Sequence, residues 1–368
     1  MIKKDVQGRV IIIEEAGVNH NGSVERALKM IDVAADSGVD IIKFQTFNAK
    51  QVITQKTPKA GYQVRTTGDA ESMLEMAQKL ELNNDAHYSL VHHCKEQGIE
   101  FLSSPFDMQS LQFLVGNLKL EKIKIGSGEI TNFPMLLSAA HSGKELILSS
   151  GMSTLGEVEA ALGVIAYGFI NKNTPSEDSN IFMESFSSSE GQDALCRRVS
   201  LLHCTTEYPS DFEDVNLRVM DTMREAFGLP VGLSDHTLGI AVPIAAVARG
   251  AAIIEKHFTL DKNLEGPDHT ASLDPDELCT MVRSIREVEQ SLGKGVKYPA
   301  PVEKKNVLIV RRSLVAACKI KKGEQFTLNN LTTKRPGVGV PATHYWKYLG
   351  KMSDRNYQED EQIVNNSE

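Results

Sequence analysis

Short runs of β-branched and aliphatic residues recur between positions 9 and 257, and each run ends in polar or ionisable side chains. Val10-Ile11-Ile12-Ile13 leads to Glu14-Glu15, Ile41-Ile42 to Lys43-Phe44-Gln45, and Phe101-Leu102 to Ser103-Ser104. Ile123 leads to Lys124 and Ser127-Gly128-Glu129, Leu146-Ile147-Leu148 to Ser149-Ser150, and Leu201-Leu202 to His203. Val231-Gly232-Leu233 ends in Ser234-Asp235-His236, and Ile253-Ile254 in Glu255-Lys256-His257. Buried parallel strands end this way when their carboxyl ends gather around a site, as they do at the mouth of a (β/α)8 barrel.

Segments of helical periodicity separate the runs. Residues 24–36 place Ala27, Met30, Ile31 and Ala34-Ala35 on one face behind Ser23, a good N-cap. Residues 82–97, 108–118, 132–141, 154–168, 215–226, 239–249 and 275–292 read the same way, the last opening on Asp274-Pro275. Strand–helix alternation implies a parallel sheet with right-handed crossovers. Repeated this often, and with no Gly-x-Gly-x-x-Gly after the first strand, it predicts an α/β chain closed into a TIM barrel over residues 1–292.

Residues 171–195 break the rhythm. They are polar and acidic around Ser187-Ser188-Ser189, which predicts an inserted surface loop or a lid. Gly293, Gly295, Pro299 and Pro301 mark residues 293–305 as a linker. Beyond it, residues 306–368 hold short β-type runs such as Ser313-Leu314-Val315-Ala316-Ala317. A module of this size buries a small core and is expected to lean on the barrel or on another subunit.

A net charge of −8 argues against a nucleic-acid or membrane-surface partner, either of which calls for a basic face. No apolar run is long enough to span a bilayer, and the apolar run behind Met1-Ile2-Lys3-Lys4 stops at Glu14, so it reads as a first strand and not a signal peptide. The cysteines, Cys94, Cys196, Cys204, Cys279 and Cys318, are odd in number and widely spaced, which fits a reduced, cytoplasmic protein.

His236 and His257 end neighbouring strands, which lie about 4.8 Å apart, so both imidazoles can reach one ion. Two hydrogen-bonded rim histidines are the plain alternative; Asp235 and Glu255 close by favour the metal. Two nitrogens amid many oxygens suit Mn²⁺ or Mg²⁺ better than a closed zinc site. His203 is a conceivable third ligand and a more natural structural residue. Lys43 and Lys124, with Ser103, Ser104, Ser127, Ser149 and Ser150, compose an anion cradle that Gly126 and Gly128 let the backbone approach. A barrel-end lysine also suits Schiff-base chemistry. Glu15 and Glu129 are acids at the same end, able to move protons or to pair with the lysines. Tyr208 and Asp268 fall in loops where they can hold substrate hydroxyls or simply face solvent.

The runs Glu15-Ala16-Gly17-Val18-Asn19-His20-Asn21-Gly22, Lys43-Phe44-Gln45 and Lys124-Ile125-Gly126-Ser127-Gly128-Glu129 resemble the sialic acid synthase family. So do Ser234-Asp235-His236-Thr237, Glu255-Lys256-His257-Phe258, Gly266-Pro267-Asp268-His269 and Arg311-Arg312-Ser313, and the resemblance covers about residues 9 to 353. That family condenses phosphoenolpyruvate with an amino-sugar aldehyde. The resemblance implies that His236 and His257 hold a divalent metal, usually Mn²⁺, and that Lys43, Ser104, Lys124, Ser127 and Ser234 hold phosphoenolpyruvate. Gln45, Tyr208 and Asp268 then hold the sugar, with Glu15 and Glu129 near the reacting carbons. The C-terminal piece around Arg335-Pro336-Gly337 looks like the family's antifreeze-like (SAF) module, which implies a domain-swapped homodimer that delivers Arg335 into its partner's barrel.

His203-Cys204-Thr205-Thr206-Glu207-Tyr208-Pro209 departs from the family's N-acetylneuraminate synthases, which carry Asn where this chain has Thr206. The Thr-Thr-Glu-Tyr-Pro form resembles the branch that makes N,N'-diacetyllegionaminate from 2,4-diacetamido-2,4,6-trideoxymannose. Thr206 cannot donate through an amide, so a changed sugar contact is expected. N-acetylmannosamine and the pseudaminate precursor remain alternative sugars. A Schiff-base lyase and a non-catalytic sugar-binding protein are the alternatives of other classes.

Overall fold

β-Branched and aromatic side chains fit a pleated, buried surface, and the apolar runs form the strands β1 (Ile11–Gly17), β2 (Ile41–Thr46), β3 (Glu100–Pro105), β4 (Lys122–Ile125), β5 (Glu145–Ser149), β6 (Val199–Cys204), β7 (Val231–Asp235) and β8 (Ile253–His257). The computed structural model describes residues 9–172 and 180–364. The eight strands pair in parallel in the order β3-β2-β1-β8-β7-β6-β5-β4. β3 and β4, the ends of that order, lie side by side, so the sheet comes round into a near-closed barrel. The expected TIM barrel is thus the observed one.

Side chains alternate across a strand, and that alternation sorts each stave into two faces. Ile13, Ile41, Leu102, Ile147, Leu202 and Ile253 form an apolar plug inside the barrel. Ile12, Ile42, Phe44, Phe101, Leu148 and Ile254 belong to the larger core shared with the helices. Two residues past the plug, the inward positions become Glu15, Lys43, Ser104, Ser149 and Cys204, all lining one cavity. Hydrophobic below and ionisable above, the barrel interior carries the site on its own period.

The helices form where expected and stop for local reasons. Ser23 accepts from the Arg26 amide at the head of helix Val24–Ser37, and Gly38 ends it in the left-handed region. Asp274 and Glu277 form a capping box around Pro275 at the start of Pro275–Ser291.

Residues 171–195 do not form a surface loop along their described part. Helices Asn180–Ser187 and Ser189–Arg198 occupy it, while residues 173–179 lie outside the described residues. The physical reason is a thin apolar stripe within a polar sequence. Phe182 meets Tyr167 and Phe133 edge-on at 5.5 and 6.1 Å between ring centres. Gly163 in the preceding helix admits the Phe182 carbonyl, which a Cβ there would meet at 2.9 Å. Leu195 and Ala194 are buried behind it.

The C-terminal unit, residues 294–368, is separate from the unit 1–293. The segment expected as linker turns helical at its end, with a turn at Pro301–Glu303 and a helix at Lys304–Val310. Beyond it β9 (Ser313–Ala316) and β10 (Leu331–Lys334) pair antiparallel. Leu314, Ile320, Phe326, Leu331, Tyr357 and Ile363 pack into this unit's own small core. Among the described residues no helix is long and apolar enough to cross a membrane.

β7 has one inward position with no room for a side chain. A Cβ on Gly232 would press on the Ile253 carbonyl oxygen and lie 2.8 Å from Leu202 Cδ2. Gly232→Ala should therefore cost roughly 1–3 kcal/mol by overpacking the barrel. The midpoint of urea unfolding should fall with its slope unchanged; an unmoved midpoint would show that the staves have slack.

Candidate active site

The strand ends enclose a cavity of about 340 Å³. Lys43 from β2 and Lys124 from β4 are 3% exposed, so their ammonium groups are out of water and need counter-charges. Glu15 supplies one at 2.6 Å from Lys43. Glu255 from β8 supplies the other, 3.3 Å from Lys124 and 3.7 Å from Lys43. Register dictates the pairing, since Glu15 sits beside Lys43 on one side and His257 on the other.

The electrostatics follow from that square of charges. Burial alone would raise the Glu255 carboxyl, but Lys124, Lys43 and the Ser234 hydroxyl, donating at 2.9 Å, outweigh it and hold it at about 2. Glu15 ends higher than usual, because burial outweighs Lys43. Burial lowers the Lys124 ammonium, whereas at Lys43 the two carboxylates prevail over burial and raise it. Ser104 accepts from Lys43 at 3.3 Å, and Ser127 accepts from the Gly151 amide at 3.0 Å. The Ser149 and Thr206 hydroxyls line the cavity buried and without hydrogen-bond partners. Unpaired buried hydroxyls of this kind are expected where a ligand completes them.

His236 and His257 stand on the same wall with ring centres 5.4 Å apart, and Tyr208 lies over both, at 4.0 and 5.4 Å. His236 Nδ1 donates to the Thr205 carbonyl at 2.6 Å, which leaves Nε2 as the ring nitrogen available to a ligand. Burial, reinforced by His236, holds His257 well below the usual imidazole range, so it is neutral. Its Nδ1 is buried without a hydrogen-bond partner, 3.9 Å from Asp268. Burial and nearby Glu15 push the Asp268 carboxyl up to about 7. The strand ends that carry both histidines are tied behind the site by Lys256, which donates to Asp235 at 2.5 Å and to the Thr237 carbonyl. Gly17 lets the Glu15 strand turn here: its φ is +51°, and a Cβ would approach Glu15, Gln45 and His257.

Two imidazoles on one wall, that of His257 neutral with an orphaned ring nitrogen, fit a divalent cation. Among the described residues no three His, Cys, Asp or Glu side chains converge to enclose an ion. The fit is to an open site that leaves coordination positions for water and substrate.

Glu15, Lys43, Gln45, Ser104, Lys124, Ser127, Thr206, Tyr208, Ser234, His236, His257 and Asp268 all line the cavity. Glu129 does not; it accepts from Asn132 at 2.6 Å. Strand parity also removes three side chains expected at the mouth. Ser103 donates to the Phe44 carbonyl, Ser150 to the Leu202 carbonyl, and His203 Nε2 meets the Val215 carbonyl at 2.6 Å. Arg335 is an exposed residue of the C-terminal unit.

Several lining residues were not expected. Cys204 takes the inward position beside His203 and lies 3.8 Å from His236 Nδ1. Residues between β2 and β3 form three short helices, Ala49–Val52, Gly61–Thr67 and Met73–Leu80, that wall the cavity with Tyr62, Gln63, Met73 and Met76. The signal was in the sequence: Ser72 and Glu75 form a capping box, and Met73, Met76, Ala77 and Leu80 follow at helical spacing.

A parallel barrel whose mouth pairs buried lysines with carboxylates and sets two histidines beside them is built to hold an anionic substrate next to a cation. Residues 30–297 match the NeuB family and residues 311–366 the SAF domain. The chain is 50% identical to the N,N'-diacetyllegionaminic acid synthase of Campylobacter jejuni, over 96% of this chain and 99% of the relative. It is 41% identical to the Legionella pneumophila protein of the same name, over 94% of this chain and 90% of that one. Its structure resembles that of the N-acetylneuraminic acid synthetase of Leptospira borgpetersenii solved with citrate, with a TM-score of 0.66 and 32% identity over 81% of this chain and 90% of the other. The chain belongs to the NeuB family.

An unfolded Glu255 titrates near 4.5 and the folded one near 2, so its carboxylate contributes most above pH 4.5 and progressively less as pH falls towards 2. Glu255→Gln should lower stability by about 3 kcal/mol at neutral pH. Denaturant titrations of both proteins should converge as the medium is acidified from pH 4.5. A gap independent of pH would mean that the ion pairs contribute nothing.

Proposed function

We propose that this chain condenses phosphoenolpyruvate with an open-chain amino-sugar aldehyde, giving a nine-carbon 2-keto acid and phosphate. The preferred aldehyde is 2,4-diacetamido-2,4,6-trideoxymannose, and the product N,N'-diacetyllegionaminate. The carrying observation is the pair of buried lysines facing unpartnered hydroxyls in one cavity with two histidines. Likeness over nearly the whole chain to two proteins named for that product supports the choice of sugar.

In this reading Lys43, Ser104, Lys124, Ser127 and Ser234 hold the phosphate and carboxylate of phosphoenolpyruvate, Lys43 and Lys124 trading carboxylate partners for phosphate oxygens. Gln45, Thr206, Tyr208 and Asp268 hold the sugar. His236 and His257 hold the divalent cation, Mn²⁺ or alternatively Mg²⁺, which when bound supplies Lewis-acid polarisation of the aldehyde oxygen. C3 of phosphoenolpyruvate forms the new bond to the aldehyde carbon, and the lysines stabilise the charge redistributed around C2. Water adds to C2. Glu15, whose carboxyl is raised by burial, takes that proton and returns one to the aldehyde-derived oxygen. The hemiketal then expels phosphate by C–O cleavage. Glu129 serves its own turn and leaves the proton transfers to Glu15.

The lowered Lys124 amine also suits a Schiff base. Borohydride trapping of pyruvate on the protein, together with activity in EDTA, would select that mechanism instead. We further read residues 1–292 as the synthase barrel, 293–305 as the connector and 306–368 as the module. The protein acts as a domain-swapped homodimer, supported by Val302, Leu308, Ile309 and Trp346, which are large, apolar and exposed in the C-terminal unit. Free cysteines accord with a cytoplasmic enzyme.

Phosphate release should require phosphoenolpyruvate, Mn²⁺ and the trideoxy sugar together. His236→Ala should lose at least about 100-fold in turnover while melting within a few degrees of the parent, since one Lewis-acid contact is worth several kcal/mol. Near-normal turnover would remove the histidine from the site. Mixed dimers of Arg335→Ala with Lys124→Met should regain activity by pairing an intact barrel with an intact module. No recovery would contradict delivery of Arg335 between subunits.

A further inference from the structure

We propose that the apolar end of the cavity, walled by Phe47, Val52, Met73, Met76 and Leu80, seats the methyl terminus of a 6-deoxy sugar and selects against a terminal hydroxyl or phosphate. This rests on the synthase reading above and adds to it the element that chooses among aldehydes. Val18, Met76 and Leu80 form an apolar cluster distinct from the barrel cores, with Phe47 and Met73 packed on it. The same side chains line the cavity, so the cluster ends in a wall exposed to whatever fills it.

Orientation follows from the opposite end. With phosphoenolpyruvate at Lys43 and Lys124 and the aldehyde carbon beside the histidines, the sugar's remaining carbons run outward along the helices that cap β2. Its last carbon reaches that wall. Lys43 and Lys124 are the cavity's lysines, and both belong to the strand-end cluster, as do Glu15 and Glu255. Lys79, next to Leu80, and Lys59 both pair with Glu71, Lys59 at 3.7 Å, while Lys50 and Lys56, close to Val52, are exposed and are not among the residues that line the cavity. Of the polar neighbours Tyr62 and Gln63, the latter's Oε1 already accepts from the Ala60 amide at 2.9 Å. Among the side chains of that wall a terminal phosphate would meet no cation, and a hydroxyl would give up water for apolar neighbours. A methyl group loses nothing, and methionine side chains adjust to its shape.

Apolar pockets discriminate against an added hydroxyl by about 10- to 100-fold. The test is steady-state phosphate release with Mn²⁺, phosphoenolpyruvate and either 2,4-diacetamido-2,4,6-trideoxymannose or its 6-hydroxy counterpart. kcat/KM should favour the deoxy sugar by about 10-fold or more. Met73→Gln and Met76→Gln should each bring that ratio towards unity by improving the hydroxy sugar relative to the deoxy one. Met73 is half-buried, so its variant keeps the test open if Met76→Gln unfolds. Gln78→Ala, on the exposed face of the same helix, should leave the ratio as it is. Equal kcat/KM for the two sugars, or a ratio untouched by both methionine variants, overturns this inference alone. Phosphate release with neither sugar overturns the synthase reading and this inference with it.

Discussion

Two lysines buried inside a barrel set the terms for everything else in this protein. An ammonium group out of water is tolerated only beside opposite charge; Lys43 finds it in Glu15 on the adjoining stave and Lys124 in Glu255 from β8, which is not a neighbour of its own strand. The square is close to neutral when no substrate is bound, which keeps the folded chain stable. It is also a set of cations already desolvated and aimed. An incoming phosphate or carboxylate meets donors whose reorganisation has been completed by folding, the arrangement that makes electrostatic stabilisation effective.

The alternation of side chains along each strand links that square to the fold. One parity carries the apolar plug and then the ionisable layer; the other carries the contact with the helices. The strand ends were legible because apolar runs collided with Lys43, Lys124, His236 and His257. The face of each residue was legible too, by counting two from the plug. That count separates Ser104 from Ser103, Ser149 from Ser150 and Cys204 from His203, all of which composition alone treats as equivalent. Glu129 follows a different rule, since it lies in a turn beyond β4, where strand parity no longer applies.

Less was readable where tertiary contacts decide. The helices after β2 are short, and their apolar positions look like ordinary core until the barrel mouth leaves part of them uncovered. Residues 180–198 mislead in the opposite direction, because a polar composition hides Phe182 and Leu195, which are enough to dock two helices. In both places the information is the spacing of a few apolar side chains, a weaker signal than a strand's continuous run. The consequence for function is a division of labour. In the proposed reaction the staves hold the groups that meet phosphoenolpyruvate, while the capping helices shape the end proposed to meet the variable part of the sugar.

The central claim, that buried lysines wait for the anions of phosphoenolpyruvate, is most directly tested by calorimetric titration of phosphoenolpyruvate into the native protein and Lys124→Met. Losing one partner of a buried charge pair costs about 2 kcal/mol or more, so affinity should fall at least about 30-fold. Equal affinity for the two proteins would contradict the account.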